Sequence, residues 1–538
     1  MICKRKRSFS FSMMQRIPIA LSMCVFCGCL ASGLLVKGAD SCDLLLKGCV
    51  IHKGEGSEPI EGDIAITKGR IVSVGKDLVF NATMIIDCKG LVVAPGFIDL
   101  HTHSDDPILQ RDTRGNINYL MQGCTTIVTG NCGMGHVAVG KYLDQIDATG
   151  AGTNVAHLLP HGSLRAQVMG KEDRPPTAEE LSKMQDLAQT AMEDGAFGMA
   201  TGLIYIPGNF AKTEELIAIA ELVAKYNGLY VSHIRGEGRT LLQSVEEAIR
   251  IGTEAKLPTH ISHFKASGKE SWGSLHVAVK MIDQARMEGK KITADQYPYT
   301  ASSTSLEATL LPSWSRAGGR TELKNRLADP VTAARIRKEV AEELKTSSRI
   351  QIASHDARPE WIGKSLDEIA TAESMEMVDV VMSVESNGGA SVINFGMFED
   401  DVRLAMKLPW VATASDGSSK VASATVPHPR SFGTFPRKIG FYAIAEQVLP
   451  LEAAIRSATS LPAEILGLED RGQIREGLIA DIAIFDPNHF RDQANFESPY
   501  LPTKGLKHVL INGEFAVYEG VPTGALLGKS IRKKVEPR

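Results

Sequence analysis

Short runs in which apolar and polar residues alternate occur towards both ends of the chain. Residues 64–66 and 72–74 alternate in this way on either side of a Lys-Gly-Arg turn, a period of two that predicts paired strands. Far along the chain, the Asn-Gly pair at 512–513 separates two apolar runs and indicates a hairpin. Because neither end is large enough to bury a core alone, we predict one small β-sandwich built from residues 42–95 and 466–525.

Between these ends, apolar strand-like runs alternate with helical patterns. One helix start is marked by Thr177 with Glu180 three residues later, a capping-box pattern. Eight alternating units predict an α/β fold, a (β/α)8 TIM-like barrel over residues 96–465, with its active site at the carboxyl ends of the strands. Residues from about 300 to 400 do not fit this count, and we predict that they form an inserted subdomain. The strand candidates are one that ends at His101 and the runs 124–128, 155–159, 197–201, 229–233, 258–263, 292–296 and 410–415.

The first 38 residues are typical of a secretory signal. Four basic residues at 4–7 precede an apolar stretch from Ile17 to Val36. We therefore predict export to the periplasm or the cell exterior, with cleavage near residue 38. Two alternatives stay open: an uncleaved membrane anchor, which about 20 apolar residues just allow, and a lipoprotein acylated on Cys29. Membrane contact is expected only through this segment.

Net charge and cysteine usage indicate which partners the chain is expected to bind and what its thiols do. The chain has 538 residues and a net charge of −4, and no basic stripe is visible, so nucleic acid is not expected as a partner. An odd number of cysteines follows the predicted signal, which in an exported protein indicates at least one thiol with a role other than a disulfide. These cysteines are Cys42, Cys49, Cys88, Cys124 and Cys132.

Two histidines, His101 and His103, follow the apolar run Leu91–Pro95 and the short segment that continues it. Side chains alternate along a strand, so the two histidines are expected to face one side and Thr102 the other. Two neutral imidazoles that converge on one point form half of a transition-metal site. The pair therefore predicts metal binding at the end of the first barrel strand.

Further residues with metal-binding atoms follow other predicted strands. They are Cys132 after the second strand, His233 after the fifth, His263 after the sixth and Asp416 after the eighth. Taken singly, each is more often an ordinary buried residue. Together with the histidine pair they place six ligand-type side chains at one rim of one barrel. This set predicts a metal-hydrolase centre with one or two ions.

Five longer motifs contain or follow the predicted ligand residues. They are GNCG at 130–133, SHIRGEG at 232–238, SHFK at 262–265, DQYPYTASS at 295–303 and HPRSFGTFPR at 428–437. Together they resemble the motifs of the N-acyl-D-amino-acid deacylase (D-aminoacylase) family, within the metal-dependent amidohydrolase superfamily. The resemblance covers about residues 42–525. It implies zinc-dependent hydrolysis of the amide bond of N-acyl-D-amino acids, with a small-molecule substrate as the partner.

The resemblance also assigns roles to individual residues. It implies one tight zinc site made of Cys132, His233 and His263, in which the thiolate replaces the carbamylated lysine of many superfamily members. His101, His103 and Asp416 would complete a second, weaker site, and Asp416 would also move the proton during catalysis.

The substrate's α-carboxylate is expected to contact a second group of residues, namely Lys265, Tyr297, Ser303 and Arg430. For Lys265 and Arg430 the alternative is a solvated surface charge. For Arg235 and Glu237 the interpretation is an ion pair beneath the metal site. Two rival functions stay open: a cyclic-amide hydrolase of the dihydropyrimidinase or hydantoinase type, and a barrel that binds a ligand without catalysis.

Overall fold

The computed structural model describes residues 40–534 of the chain. The predicted signal at 1–38 lies outside this range, so export stays a prediction, which cell fractionation would test. Among the described residues, no helix combines the length and the apolar character that crossing a bilayer requires.

One nine-stranded sheet joins the two ends of the chain. Val92–Pro95 pairs antiparallel with Ile482–Phe485, and side chains from both ends share one apolar core. The prediction that both chain ends build one β-structure is confirmed. Hydrogen bonds join all nine strands of the predicted β-sandwich region into a single sheet. Gly48, at φ 70°, lies where the first strand changes its parallel neighbour from the fourth strand to the fifth. The strands are Ser41–Ile51, Ile60–Thr67, Arg70–Gly75, Asn81–Asp87, Val92–Pro95, Ile482–Phe485, Leu506–Ile511, Glu514–Tyr518 and Val521–Pro522.

Eight parallel strand positions form the predicted (β/α)8 barrel. Hydrogen bonds link each to the next, and His157 O accepts from Phe197 N at 3.0 Å where the third strand is interrupted. The first and last strands meet just beyond their ends, where Asp416 N donates to His101 O at 2.8 Å. The closure therefore lies at the predicted active site. In order, the strands are Phe97–Asp99, Cys124–Thr129, Asn154–His157 with Leu159–Pro160, Gly198–Gly202, Leu229–His233, Thr259–Ile261, Ile292–Gln296 and Val411–Thr413.

The strand that precedes the histidine pair differs from the prediction. The apolar run Leu91–Pro95 does not carry the histidines, because Val92–Pro95 belongs to the nine-stranded sheet. Phe97–Asp99 is the barrel strand, and Gly96 separates the two. A Cβ atom at Gly96 would lie 2.2 Å from the Thr125 side chain, so only glycine fits where the chain passes between sheets.

Helices surround the barrel and build the insertion. The helix Ala178–Glu193 begins with the predicted capping box, since Thr177 Oγ1 accepts from Glu180 N at 3.2 Å and Glu180 Oε2 accepts from Thr177 N at 2.8 Å. Arg437–Ala445 is a π-helix. The α-helices are Ile117–Leu120, Val139–Thr149, His161–Met169, Ala178–Glu193, Thr213–Lys225, Leu241–Ala255, Leu275–Met287, Leu306–Leu310, Ser313–Arg316, Arg320–Ala328, Pro330–Thr346, Leu366–Glu373, Met377–Ser386, Glu399–Ala405, Arg430–Pro436, Leu451–Ala458 and Ser460–Leu466.

An insertion lies between the seventh and eighth barrel strands. Its antiparallel sheet consists of Ser302–Ser305, Ser391–Asn394 and Ile350–Ser354, in that order. Helices cover this sheet and share with it an apolar core of their own that contains Trp361. The insertion reaches the mouth of the barrel, because Arg430 Nη2 donates to Ser303 O at 3.1 Å. One edge of the candidate site is therefore supplied by the insertion.

Candidate active site

Six side chains with metal-binding atoms meet at the carboxyl ends of the barrel strands. Two follow the first strand, one each follows the second, sixth and eighth strands, and one ends the fifth strand. These side chains form three overlapping groups of three residues, and within each group the ligand atoms lie within 4.8 Å of one another. The groups are His101 with His103 and Cys132, Cys132 with His233 and His263, and His101 with His263 and Asp416.

Three of these residues have left-handed backbone conformations. The φ angles are 52° at Cys132, 36° at His263 and 50° at Asp416. Residues other than glycine rarely adopt such angles, and they persist where surrounding contacts hold them. Here His263 N donates to Asp295 Oδ1 at 2.7 Å, and Asp416 N is held by the barrel closure. The strained backbone at these three residues turns their side chains towards one point.

The thiol of Cys132 lies at the centre of the group. Its Sγ is 3.3 Å from His101 Nε2, 3.5 Å from His233 Nδ1 and 3.8 Å from His263 Nε2. Ligand atoms that are 2.0–2.3 Å from one tetrahedral ion lie about 3.3–3.8 Å apart. The sulfur-to-nitrogen spacings therefore fit a shared ion, and among the described residues none of the five cysteines forms a disulfide.

Asp416 lies beside this cluster and faces both histidines of the pair. Its Oδ1 is 3.0 Å from His103 Nε2 and 3.5 Å from His101 Nε2. Its Oδ2 is 2.7 Å from Arg430 Nη1. The carboxylate thus lies between the candidate metal ligands and a guanidinium group.

Charge at the site favours a bound cation. Burial alone would raise the pKa of the Cys132 thiol, but the imidazoles, His101 first, hold it well below its usual value. Burial likewise opposes ionisation of Asp416, but Arg430 and then His101 hold the pKa of that carboxyl well below its usual value. A thiolate and a carboxylate therefore face the same small volume, as expected for a divalent metal site.

Two acidic residues behind the ligands make contacts that the sequence did not predict. Asp295 is buried, with Oδ2 3.4 Å from His101 Nδ1. Glu237 Oε1 is 2.8 Å from His263 Nδ1 and also binds Lys265. Carboxylates in this position fix the tautomer and orientation of a metal-binding imidazole. The acidic residue within the predicted strand Ile292–Gln296 was the available signal for Asp295.

The predicted ion pair between Arg235 and Glu237 is wrong. Arg235 instead pairs with Glu247 on the helix Leu241–Ala255, with Nη2 2.9 Å from Oε1. This pairing frees Glu237 to contact His263 and Lys265. Arg235 and Glu237 are close in sequence but do not pair, because their side chains contact different parts of the protein.

Replacing Glu237 with glutamine is expected to weaken metal binding about 10- to 100-fold, the usual cost of losing such a partner of a metal-binding histidine. The amide keeps the shape but removes the charge that orients His263. Competition with a chelator measures the affinity. Glu246→Gln, at an exposed position of the next helix, is the matched control. An unchanged metal affinity in Glu237→Gln would show that Glu237 does not support the site.

The four residues predicted to bind a carboxylate lie at the mouth of the barrel, with Arg430 and Ser303 beside Asp416 and Lys265 beside His263. Arg430 lies 4.9 Å from the centre of the Tyr297 ring and also contacts Ser303. Lys265 and Arg430 are both buried, so the alternative of solvated surface charges is wrong. The Tyr297 hydroxyl is buried without a hydrogen-bond partner among the described residues, as expected of a group that meets a ligand. Lys265 differs, because its Nζ is already bound to Glu237 and to His263 O.

A parallel barrel with imidazole, thiolate and carboxylate groups gathered at its strand ends defines the class of TIM-barrel enzymes that work around a metal centre. The chain belongs to the amidohydrolase family, whose model matches residues 84–338 and 364–517. It is 33% identical to a D-aminoacylase of Alcaligenes xylosoxydans xylosoxydans over 514 residues, which cover 91% of this chain and 98% of that protein.

Two solved structures agree in fold over nearly the whole chain. A D-aminoacylase, studied for the role of its binuclear metal centre, has 32% identity and a TM-score of 0.79, covering 91% of this chain and 100% of that one. The N-acyl-D-glutamate deacylase of Bordetella bronchiseptica, complexed with zinc and a phosphonate inhibitor that mimics the tetrahedral intermediate, has 30% identity and a TM-score of 0.78. It covers 92% of this chain and 100% of its own.

Proposed function

We propose that this protein hydrolyses the amide bond of N-acyl-D-amino acids and releases a carboxylate and a free D-amino acid. The observation that carries the proposal is the placement of Asp416 between the Cys132 cluster and Arg430. One side of this carboxylate meets candidate metal ligands and the other meets a group suited to a substrate carboxylate. The names of the relatives support the linear amide as the substrate class.

The metal we propose is zinc, held tightly by Cys132, His233 and His263. His101, His103 and Asp416 provide a second, weaker set. A thiolate with two imidazoles suits zinc better than magnesium or calcium, which prefer oxygen ligands. When bound, zinc lowers the pKa of water and polarises a carbonyl.

Asp416 is the proposed proton carrier. Its carboxylate is ionised in the resting site, so it can accept a proton from the attacking water. The same group then delivers that proton to the nitrogen of the leaving amine, which would otherwise depart as a poor anion. This role places the amino-acid half of the substrate on the Asp416 side of the site.

The α-carboxylate of that half is bound by Arg430, Tyr297 and Ser303 in this proposal. The guanidinium and the unpartnered phenol supply donors for a carboxylate. Among His428's contacts, Nδ1 accepts from Arg430 N at 3.0 Å and Nε2 donates to Ala301 O at 2.9 Å. His428 therefore fixes the backbone from which Arg430 extends. Lys265 contributes less directly, because Glu237 already holds its ammonium.

A substrate panel tests the proposal. Purified protein with measured metal content is assayed on N-acetyl-D-amino acids, their L enantiomers, and hydantoin and dihydropyrimidine rings. We expect turnover of the D series, its loss after chelation and its return with zinc. Preference for the rings would support the cyclic-amide alternative, and binding of N-acetyl-D-amino acids without turnover would support a barrel that only binds.

A further inference from the structure

A cavity beside Asp416 contains more positive charge than the chemistry of the site uses. Its volume is about 200 Å³, and it opens between the barrel and the insertion. The Arg430 charge is met by Asp416 at 2.7 Å. A second cation, Lys420, has no such partner. The residues that carry this argument are His103, Ser303, Asp416, Lys420 and Arg430, all of which line the cavity.

The ammonium of Lys420 makes no hydrogen bond or ion pair within residues 40–534. Only its backbone is engaged, with N–H donating to Asn118 Oδ1 at 3.3 Å. The side chain is half-buried rather than extended into solvent. Burial, and then the charge of Arg430, lower its pKa. A cation in this setting gains most from an anion that enters the cavity.

The backbone that carries Lys420 is fixed against the barrel rim. Ser418 Oγ donates to His103 O at 2.8 Å, and Ser419 N donates to Ser104 Oγ at 2.9 Å. Ser419 Oγ also donates to Asn116. These contacts hold Lys420 four residues after Asp416, at the same edge of the site. Its placement is therefore set by the same strand end that presents the proton carrier.

We propose that Lys420 binds an anionic side chain of the substrate, so that N-acyl derivatives of D-glutamate or D-aspartate are the favoured substrates. This inference rests on the proposed function, which places the amino-acid half of the substrate beside Asp416. Arg430, Tyr297 and Ser303 are used by the α-carboxylate. Lys420 is then the remaining cation of the cavity, and a second carboxylate is the group that matches it.

The test compares acids with their neutral amides of nearly equal size. The kcat/KM of the full chain is measured on N-acetyl-D-glutamate against N-acetyl-D-glutamine, and on N-acetyl-D-aspartate against N-acetyl-D-asparagine. Lys420→Met should lower kcat/KM for the acids about 10- to 100-fold, the range for a charge-assisted hydrogen bond, and leave the amides nearly unchanged. Lys420→Arg should keep the preference for acids. The acid, glutamate or aspartate, whose kcat/KM falls more in Lys420→Met shows which length of substrate side chain reaches Lys420.

Lys407→Met, at an exposed lysine outside the cavity, is the control, and zinc content and melting temperature confirm that each variant is folded. The inference is overturned if Lys420→Met lowers acids and amides equally, if it changes neither, or if the wild type prefers the amides. If the wild type hydrolyses no N-acetyl-D-amino acid, the proposed function fails, and this inference fails with it. Hydrolysis of neutral substrates with no effect of Lys420→Met overturns the Lys420 assignment alone.

Discussion

Cys132→Ala is expected to lose the zinc that we propose to be tightly bound, together with nearly all activity. The thiolate lies within 3.8 Å of His101, His233 and His263, so its removal takes away the charged donor that the imidazoles share. Loss of a supporting partner costs about 10- to 100-fold, and loss of a ligand should exceed that range. Metal analysis of the purified variant and its kcat/KM measure the two effects.

Cys124→Ala is the matched control. Cys124 is also buried, in the second barrel strand, but it belongs to the apolar core and to none of the ligand groups. Its replacement should cost only packing, about 1 kcal/mol of stability, and leave the zinc content intact. Thiol titration that finds Cys132 oxidised in fully active enzyme would contradict its role as a ligand.

Asp416→Asn is expected to lower kcat about 10²- to 10⁴-fold, the usual contribution of a general acid and base. Asparagine keeps the size and one oxygen but cannot accept the proton. The zinc that we propose to be held by Cys132, His233 and His263 should remain, because Asp416 lies outside that group. Rapid-quench or steady-state kinetics give kcat, and metal analysis on the same sample gives the zinc content.

Two outcomes would change the assignment of Asp416. Near-full turnover in Asp416→Asn would show that another residue carries the proton. Loss of all zinc along with activity would make Asp416 a primary ligand and leave its proton transfer without support. Retained zinc with a low kcat is the combination that the geometry in the site favours.

Much of the barrel could be predicted because local patterns determine it. The runs Leu229–His233 and Ile292–Gln296 have the same bounds in the structure as in the sequence prediction. Strand direction then places residues after successive strands at one rim, and the six ligand-type side chains meet there. The capping box at Thr177 is equally local, since its two hydrogen bonds span three residues.

Contacts between distant parts of the chain could not be predicted in the same way. Asp295 faces His101 across the barrel, and no spacing in the sequence relates the two. Glu237 was assigned to Arg235 because they are close in sequence, whereas Arg235 turns to Glu247. The break at Gly96 was missed for a similar reason, because it depends on Thr125 in the neighbouring strand. Tertiary contacts decided each of these cases.

The strand pair that joins the two chain ends sets an order for folding during synthesis. Val92–Pro95 cannot pair with Ile482–Phe485 until almost four hundred further residues have been made. At ribosomal rates of about 5–20 residues per second, this edge stays unpaired for roughly 20–80 s. Unpaired strand edges favour association between chains. A chaperone that binds nascent chains should therefore matter more to this protein's yield than to that of a barrel without the shared sheet.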